Sequence, residues 1–124
     1  MSAVDIDRAA FGALCAINTS DSRPLAAQLL EIFEHDTPPL VSQLRAEAAA
    51  AHSAELLRLA HKLKGSALTM GALSVTAICQ QIERCVREGQ LAEVMALVDA
   101  VELTTVETMR LLHEELARPA GGAV

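Results

Sequence analysis

Between Leu56 and Met70 the apolar residues Leu56, Leu59, Ala60, Leu63, Ala67 and Met70 recur every three or four positions. At about 100° per residue they fall on one stripe of a helix, with Arg58, Lys62 and Thr69 opposite. A stripe of that width has to face a core, so the segment needs partners of its own kind. The same period returns in Leu25, Leu29, Ile32 and Phe33, and again in Leu40, Val41, Leu44 and Ala48. It continues in Val75, Ile78, Ile82, Cys85 and Val86. The last run is Val94, Leu97, Val98, Val101, Leu103, Val106, Met109, Leu112 and Leu116. Two Phe, no Tyr and no Trp in a chain rich in Ala and Leu favour close-packed helices over sheet.

The punctuation divides these runs. Val4 to Ile17, with Ile6, Phe11, Leu14 and Cys15 on one side, predicts a short amphipathic helix. The polar loop Asn18 to Ser22 follows, and Pro24 suits the first turn of a second helix. Thr37-Pro38-Pro39 interrupts that helix. Thr37 as cap and Pro38 at the first helical position predict a new helix, or a sharply bent continuation, running to about Ala51. Ser53 is placed as the next N-cap, with Glu55 against the positive helix end. A third long helix then spans about Ala54 to Met70 and stops at Gly71. A fourth spans about Leu73 to Glu88 and ends at Gly89, and the last begins near Leu91. The expected architecture is all-α: an antiparallel four-helix bundle with an additional short N-terminal helix. Residues 1–124 form one domain, with the bundle at about 23–117 and a flexible tail at 118–124. The initial Met and the Gly-rich end suggest a free-standing protein.

A formal charge of −6 argues against nucleic acid as the partner. No apolar run approaches the roughly 20 residues of a membrane span, so no membrane insertion is expected. Cys15, Cys79 and Cys85 lack C-x-x-C spacing and follow no signal-peptide pattern. They read as reduced core thiols of a cytoplasmic protein, and the methionines as core residues too. His35, His52, His61 and His113 do not cluster with Cys or carboxylates at ligand spacing, so no metal site and no cofactor are expected. His35, His52 and His113 read as loop, helix end and surface.

His61 is different. It lies off the centre of the core stripe, on a flank that also carries Leu57, Lys64, Gly65 and Leu68. Gly65 costs a helix about 1 kcal/mol relative to alanine, so its presence needs a reason. Removing a side chain one turn from the imidazole allows another molecule close approach. Leu57 and Leu68 around an exposed ionisable residue resemble a docking surface. Free imidazole titrates at about 6.5, so at pH 7 it is largely neutral and nucleophilic. The chemistry these residues suit is phosphoryl transfer through histidine, with Lys64 screening the phosphoryl charge. No nucleophile triad or Gly-rich phosphate loop appears elsewhere, so turnover of a small substrate by this chain alone is not expected.

In Ala60-His61-Lys62-Leu63-Lys64-Gly65-Ser66, then Gly71-Ala72, Cys79 and Ile82-Glu83, the sequence resembles the histidine-containing phosphotransfer (HPt) domains of multistep two-component signalling. Phe33-Glu34-His35-Asp36-Thr37-Pro38-Pro39-Leu40 resembles that family's entry into its second bundle helix, and the likeness extends from about Leu25 to Leu116. The resemblance implies a phosphoryl carrier without kinase or phosphatase activity. By the same resemblance His61 would accept phosphate through Nε2 from a receiver-domain aspartate and pass it to another, with Lys64 stabilising the phosphate charge and Gly65 giving access. The implied partners are response-regulator receiver domains and a hybrid sensor histidine kinase, with the chain acting as a monomer. The Mg²⁺ of the reaction belongs to the receiver.

The sequence departs from the family's frequent glutamine at Glu83. An ionised carboxylate cannot donate a hydrogen bond to phosphate, and Arg87, one turn on, offers a compensating charge. Leu57, Leu68, Glu83 and Arg87 are therefore expected to contact the partner. Two other readings stand beside the relay. One is a substrate domain phosphorylated directly by a chemotaxis-type kinase. The other is a receiver-binding module that carries no phosphate.

Overall fold

A computed structural model describes residues 3–20 and 22–118 of the chain. Helix α1 spans Arg8–Cys15, α2 Leu25–Ala49, α3 Ser53–Met70, α4 Leu73–Arg87 and α5 Val94–Leu116, with a 3₁₀ turn at Leu91–Glu93 before α5. Helices α2 and α4 each pack between α3 and α5, which closes an antiparallel four-helix bundle, and α1 lies across α2 and α5. The expected all-α architecture is the observed one. The six residues of the α3 stripe are all buried, whereas Arg58, Lys62 and Thr69 are exposed.

Local chemistry explains the helix limits. The Asp7 carboxylate accepts from the Ala10 N–H at 3.0 Å and so caps α1. Helix α1 is therefore shorter than the predicted Val4 to Ile17. The residues ahead of it are extended and strap the corner between α3 and α4. The Asp7 N–H donates to the Gly71 carbonyl at 2.7 Å, and the Asp5 N–H to Ser74 Oγ at 2.8 Å. Gly71 ends α3 in the left-handed region at φ 70°. A Cβ there would meet the Asp7 backbone oxygen at 3.0 Å, so both the turn and the strap require glycine. This fixes the direction in which α4 leaves α3, and with it the register between the two helices.

The structure corrects several expectations. Thr37, Pro38 and Pro39 lie inside a continuous α2, and Thr37 is buried rather than capping. Each proline removes one N–H that would bond four residues back, to Glu34 and His35. Both prolines are exposed, on the solvent side of α2, where water can serve the freed carbonyls. His35 is accordingly helical, not in a loop. Ser53 is the first residue of α3 and His52 stands at the N-cap, with no side-chain hydrogen bond there. Glu55 is in the first turn, as expected. Ile32, Leu103 and Val106 continue the apolar period but are exposed, while Thr105, Thr108 and Leu111 are buried. Of the cysteines, Cys79 and Cys85 are buried and Cys15 is half-buried. Met70 is buried, and Met95 and Met109 are partly so. The expected tail lies outside the described residues except for Arg118.

Candidate functional site

His61 stands midway along α3 with its side chain 76 % exposed. Helix geometry puts Leu57, Lys64, Gly65 and Leu68 around it. Leu68 is 59 % exposed, whereas Leu57 is half-buried and packs against the core. The two leucines are thus unequal: one is surface, the other the edge of the interior. A Cβ built on Gly65 meets no atom within 4 Å. The space beside the imidazole is open, and no packing between helices requires glycine there.

Helix α4 supplies the floor. Glu83 is only 3 % exposed, and its Oε1 lies 2.6 Å from Lys64 Nζ. Its Oε2 lies 3.7 Å from His61 Nδ1 and 3.8 Å from an Arg87 guanidinium nitrogen, one turn on. The expectation that Glu83 contacts a partner is corrected, because a side chain so buried offers no surface. Its role is internal. A buried carboxylate is costly unless paired, and the Lys64 ammonium is the close partner that offsets the cost. The pair holds Lys64 against the bundle, its side chain 21 % exposed, instead of leaving it to swing in water. An ammonium has three donors, so Lys64 can bond Glu83 and still offer N–H groups to an incoming anion. Arg87 is 65 % exposed and remains on the rim.

Cys79 lies one turn before Glu83 and is fully buried. Burial first, and the Glu83 charge second, push its thiol up to about 12, with Lys64 pulling the other way. Cys79 is thus an inert thiol packed beneath the Glu83–Lys64 pair. Nδ1 is the ring nitrogen turned toward Glu83, at 3.7 Å, which puts Nε2 on the opposite edge of a largely exposed ring. The arrangement is an exposed imidazole, a lysine one turn along the same helix pinned by Glu83, and open space over Gly65.

A second feature adjoins this face. Leu29, Ile32, Asp36, Ser66, Thr69 and Met70 line a shallow groove of about 200 Å³ between α2 and α3. Ile32 projects at its edge, 55 % exposed. Sequence periodicity assigned Ile32 to the core. The signal against that is that Leu29, Leu30 and Phe33 already fill the inward arc of this turn. The other histidines stand apart from the site: His35 pairs with Asp36, His52 with Glu47 and His113 with Glu34. Among the described residues no group of three or more His, Cys, Asp or Glu is placed to hold a metal ion. No described helix is long and apolar enough to cross a membrane.

No curated protein sequence matches the chain. The solved structure of histidine-containing phosphotransfer protein B from Pseudomonas aeruginosa PAO1 is similar, with 26% sequence identity and a TM-score of 0.80. The match covers 93% of this chain and 96% of that one. The family model for the Hpt domain matches residues 28–118, which take in α3, α4, α5 and most of α2. By that match, and by the bundle that presents His61, the chain belongs to the Hpt domain family.

Proposed function

We propose that this protein carries a phosphoryl group on His61 between receiver-domain aspartates. The Nε2 lone pair attacks the phosphorus of a receiver's aspartyl phosphate. The bond to the aspartyl oxygen breaks and the carboxylate leaves with its electron pair. The return reaction delivers the phosphoryl group to a second receiver. The observation that carries this reading is the exposed imidazole beside a cation fixed by Glu83, next to the open space over Gly65. Phosphoryl transfer asks mainly for positioning and charge stabilisation, and this surface offers both. Lys64 meets the phosphoryl oxygens, with Arg87 nearby, and Mg²⁺ belongs to the receiver.

The receiver docks on Leu68 and Ile32, with the Leu57 edge and the groove between α2 and α3 completing the contact. Apolar side chains around a charged centre favour such an interface, because they exclude water from the transferring group. A hybrid sensor histidine kinase supplies the first receiver, and the carrier works as a cytoplasmic monomer. The test is incubation with a phosphorylated receiver domain, following the label. Wild type is expected to take up phosphate within the life of the receiver phosphate. Acceptance of label by His61→Gln at the wild-type rate would refute the assignment.

A further inference from the structure

Leu103 and Val106 are the most exposed large apolar side chains among the described residues, at 74 % and 66 %. They stand on the outer side of α5, away from Val94, Val98, Val101, Thr105 and Leu112, which are buried in the bundle. At about 100° per residue, Asp99, Leu103, Val106 and Arg110 share an arc of about 60° on that outer side. Asp99 and Arg110 are exposed as well. A single exposed leucine is ordinary on a protein surface. Two apolar side chains one turn apart, with an acid at one end and a base at the other, form an ordered strip. Because α2 and α4 separate α3 from α5, the strip lies across the bundle from His61. A receiver docked at His61 would leave it uncovered.

The order of residues along the strip names its occupant. Leu103 and Val106 lie at equal distances on either side of the point between Thr104 and Thr105, and so do Asp99 and Arg110. Two copies of α5 laid antiparallel about a two-fold axis at that point bring Leu103 level with the other copy's Val106. The same operation brings Asp99 level with the other copy's Arg110, twice per pair. A parallel arrangement would instead set Asp99 on Asp99 and Arg110 on Arg110. An isologous contact requires a patch that complements itself, and this strip meets that condition in charge and in apolar content. We propose that the outer face of α5 is where a second copy of this chain packs, antiparallel, with both His61 faces left open.

The end charges can serve both contacts. Arg45 donates to Oδ1 of Asp99 at 2.8 Å, so Oδ2 keeps acceptor capacity. Arg110 donates through Nε and Nη2 to Glu107, at 2.7 and 2.8 Å, and through Nη1 to Glu114. A guanidinium has more donors than these contacts use. Glu102 and Glu107 fall on opposite flanks of the strip, outside its arc. The apolar part is small, so the pair forms at high local concentration and the dilute carrier is a monomer.

Sedimentation equilibrium of the whole chain, in a series rising to millimolar concentration, is the test. Wild type should pass from monomer to dimer across the series, and Leu103→Asp should lose the dimer. Asp99→Arg and Arg110→Asp each set like charges opposite one another, twice per pair, and should weaken association at least about tenfold. The double variant restores opposite charges and should return to within about threefold of wild type. A wild-type chain that stays monomeric throughout overturns the proposal. So does a dimer that persists in Leu103→Asp, or a double variant no better than its parents. Amide shifts of wild type need no substitution and decide the matter should a variant fail to fold. They should change with concentration along Asp99 to Arg110 and stay fixed around His61, and the reverse pattern overturns the proposal. A receiver domain that shifts the α5 amides and dissolves the dimer would make the receiver the occupant, which overturns it too.

Discussion

Gly65 occupies the interior of α3, with empty space where its side chain would be. An alanine at such a position gains about 0.8–1.0 kcal/mol from backbone entropy and helix propensity, and here no clash subtracts from it. At about 2.1 cal/mol/K of unfolding entropy per residue, a chain of 124 residues gains about 4 °C in melting temperature per kcal/mol. Gly65→Ala is therefore expected to melt about 3–4 °C higher. The same methyl group stands one turn from His61, in the open space that the proposed transfer assigns to the receiver aspartate. If it holds the partner off by about 1 Å, transfer slows by up to about 100-fold. Gly65→Leu, with a similar helix propensity, should slow it further. Thermal unfolding followed by circular dichroism measures the first effect, and the initial rate of label transfer from a phosphorylated receiver measures the second. Labelling by phosphoramidate serves as control, because a small donor needs no docking surface and should be little affected. A lower melting temperature would mean that the fold itself needs glycine here. Unchanged receiver transfer in Gly65→Leu would sink the access argument.

Two further expectations follow from exposure and burial. Ile32→Asp and Leu68→Asp alter side chains 55 % and 59 % exposed, so each should change stability by no more than about 0.5 kcal/mol. Titration calorimetry with a receiver domain should nevertheless show at least tenfold weaker binding for the double variant, and unaltered affinity would remove these residues from the interface. The Cys79 thiol, held at about 12 against an ordinary 9.0, stays protonated in the folded chain while the unfolded chain loses its proton. Its stabilising contribution is complete below pH 9 and is lost as pH rises toward 12. Urea unfolding between pH 8 and 11 should therefore show a steeper loss of stability in wild type than in Cys79→Ala, and parallel curves would contradict the burial argument.

How far the fold could be read depends on which residues had to cooperate. The α3 stripe was legible because one helix's own geometry decides which of its residues share a face. The stop at Gly71 was legible because a left-handed residue there favours glycine. Pro38 and Pro39 misled because their local preference is to begin a helix. Burial of Leu30, Phe33, Thr37, Leu40 and Val41 holds α2 together across them instead. Packing outweighs two missing hydrogen bonds whose acceptors lie toward solvent. Ile32, Leu103 and Val106 show the opposite limit. Periodicity tells which residues share a flank, but the width of the covered arc depends on where neighbouring helices lie.

The candidate site divides along the same line. His61, Lys64, Gly65 and Leu68 belong to one helix, so their adjacency followed from spacing. Glu83 belongs to the next helix, and its distance from His61 depends on the α3–α4 register that Gly71 and the Asp7 strap impose. In sequence, a glutamate in place of a donor reads as a loss with Arg87 as its remedy. In three dimensions the carboxylate lies under the imidazole, bonded to Lys64, and Arg87 stays on the rim. A donor at this position would bind phosphate directly. An acceptor there acts instead through its neighbour, fixing the Lys64 cation against the bundle.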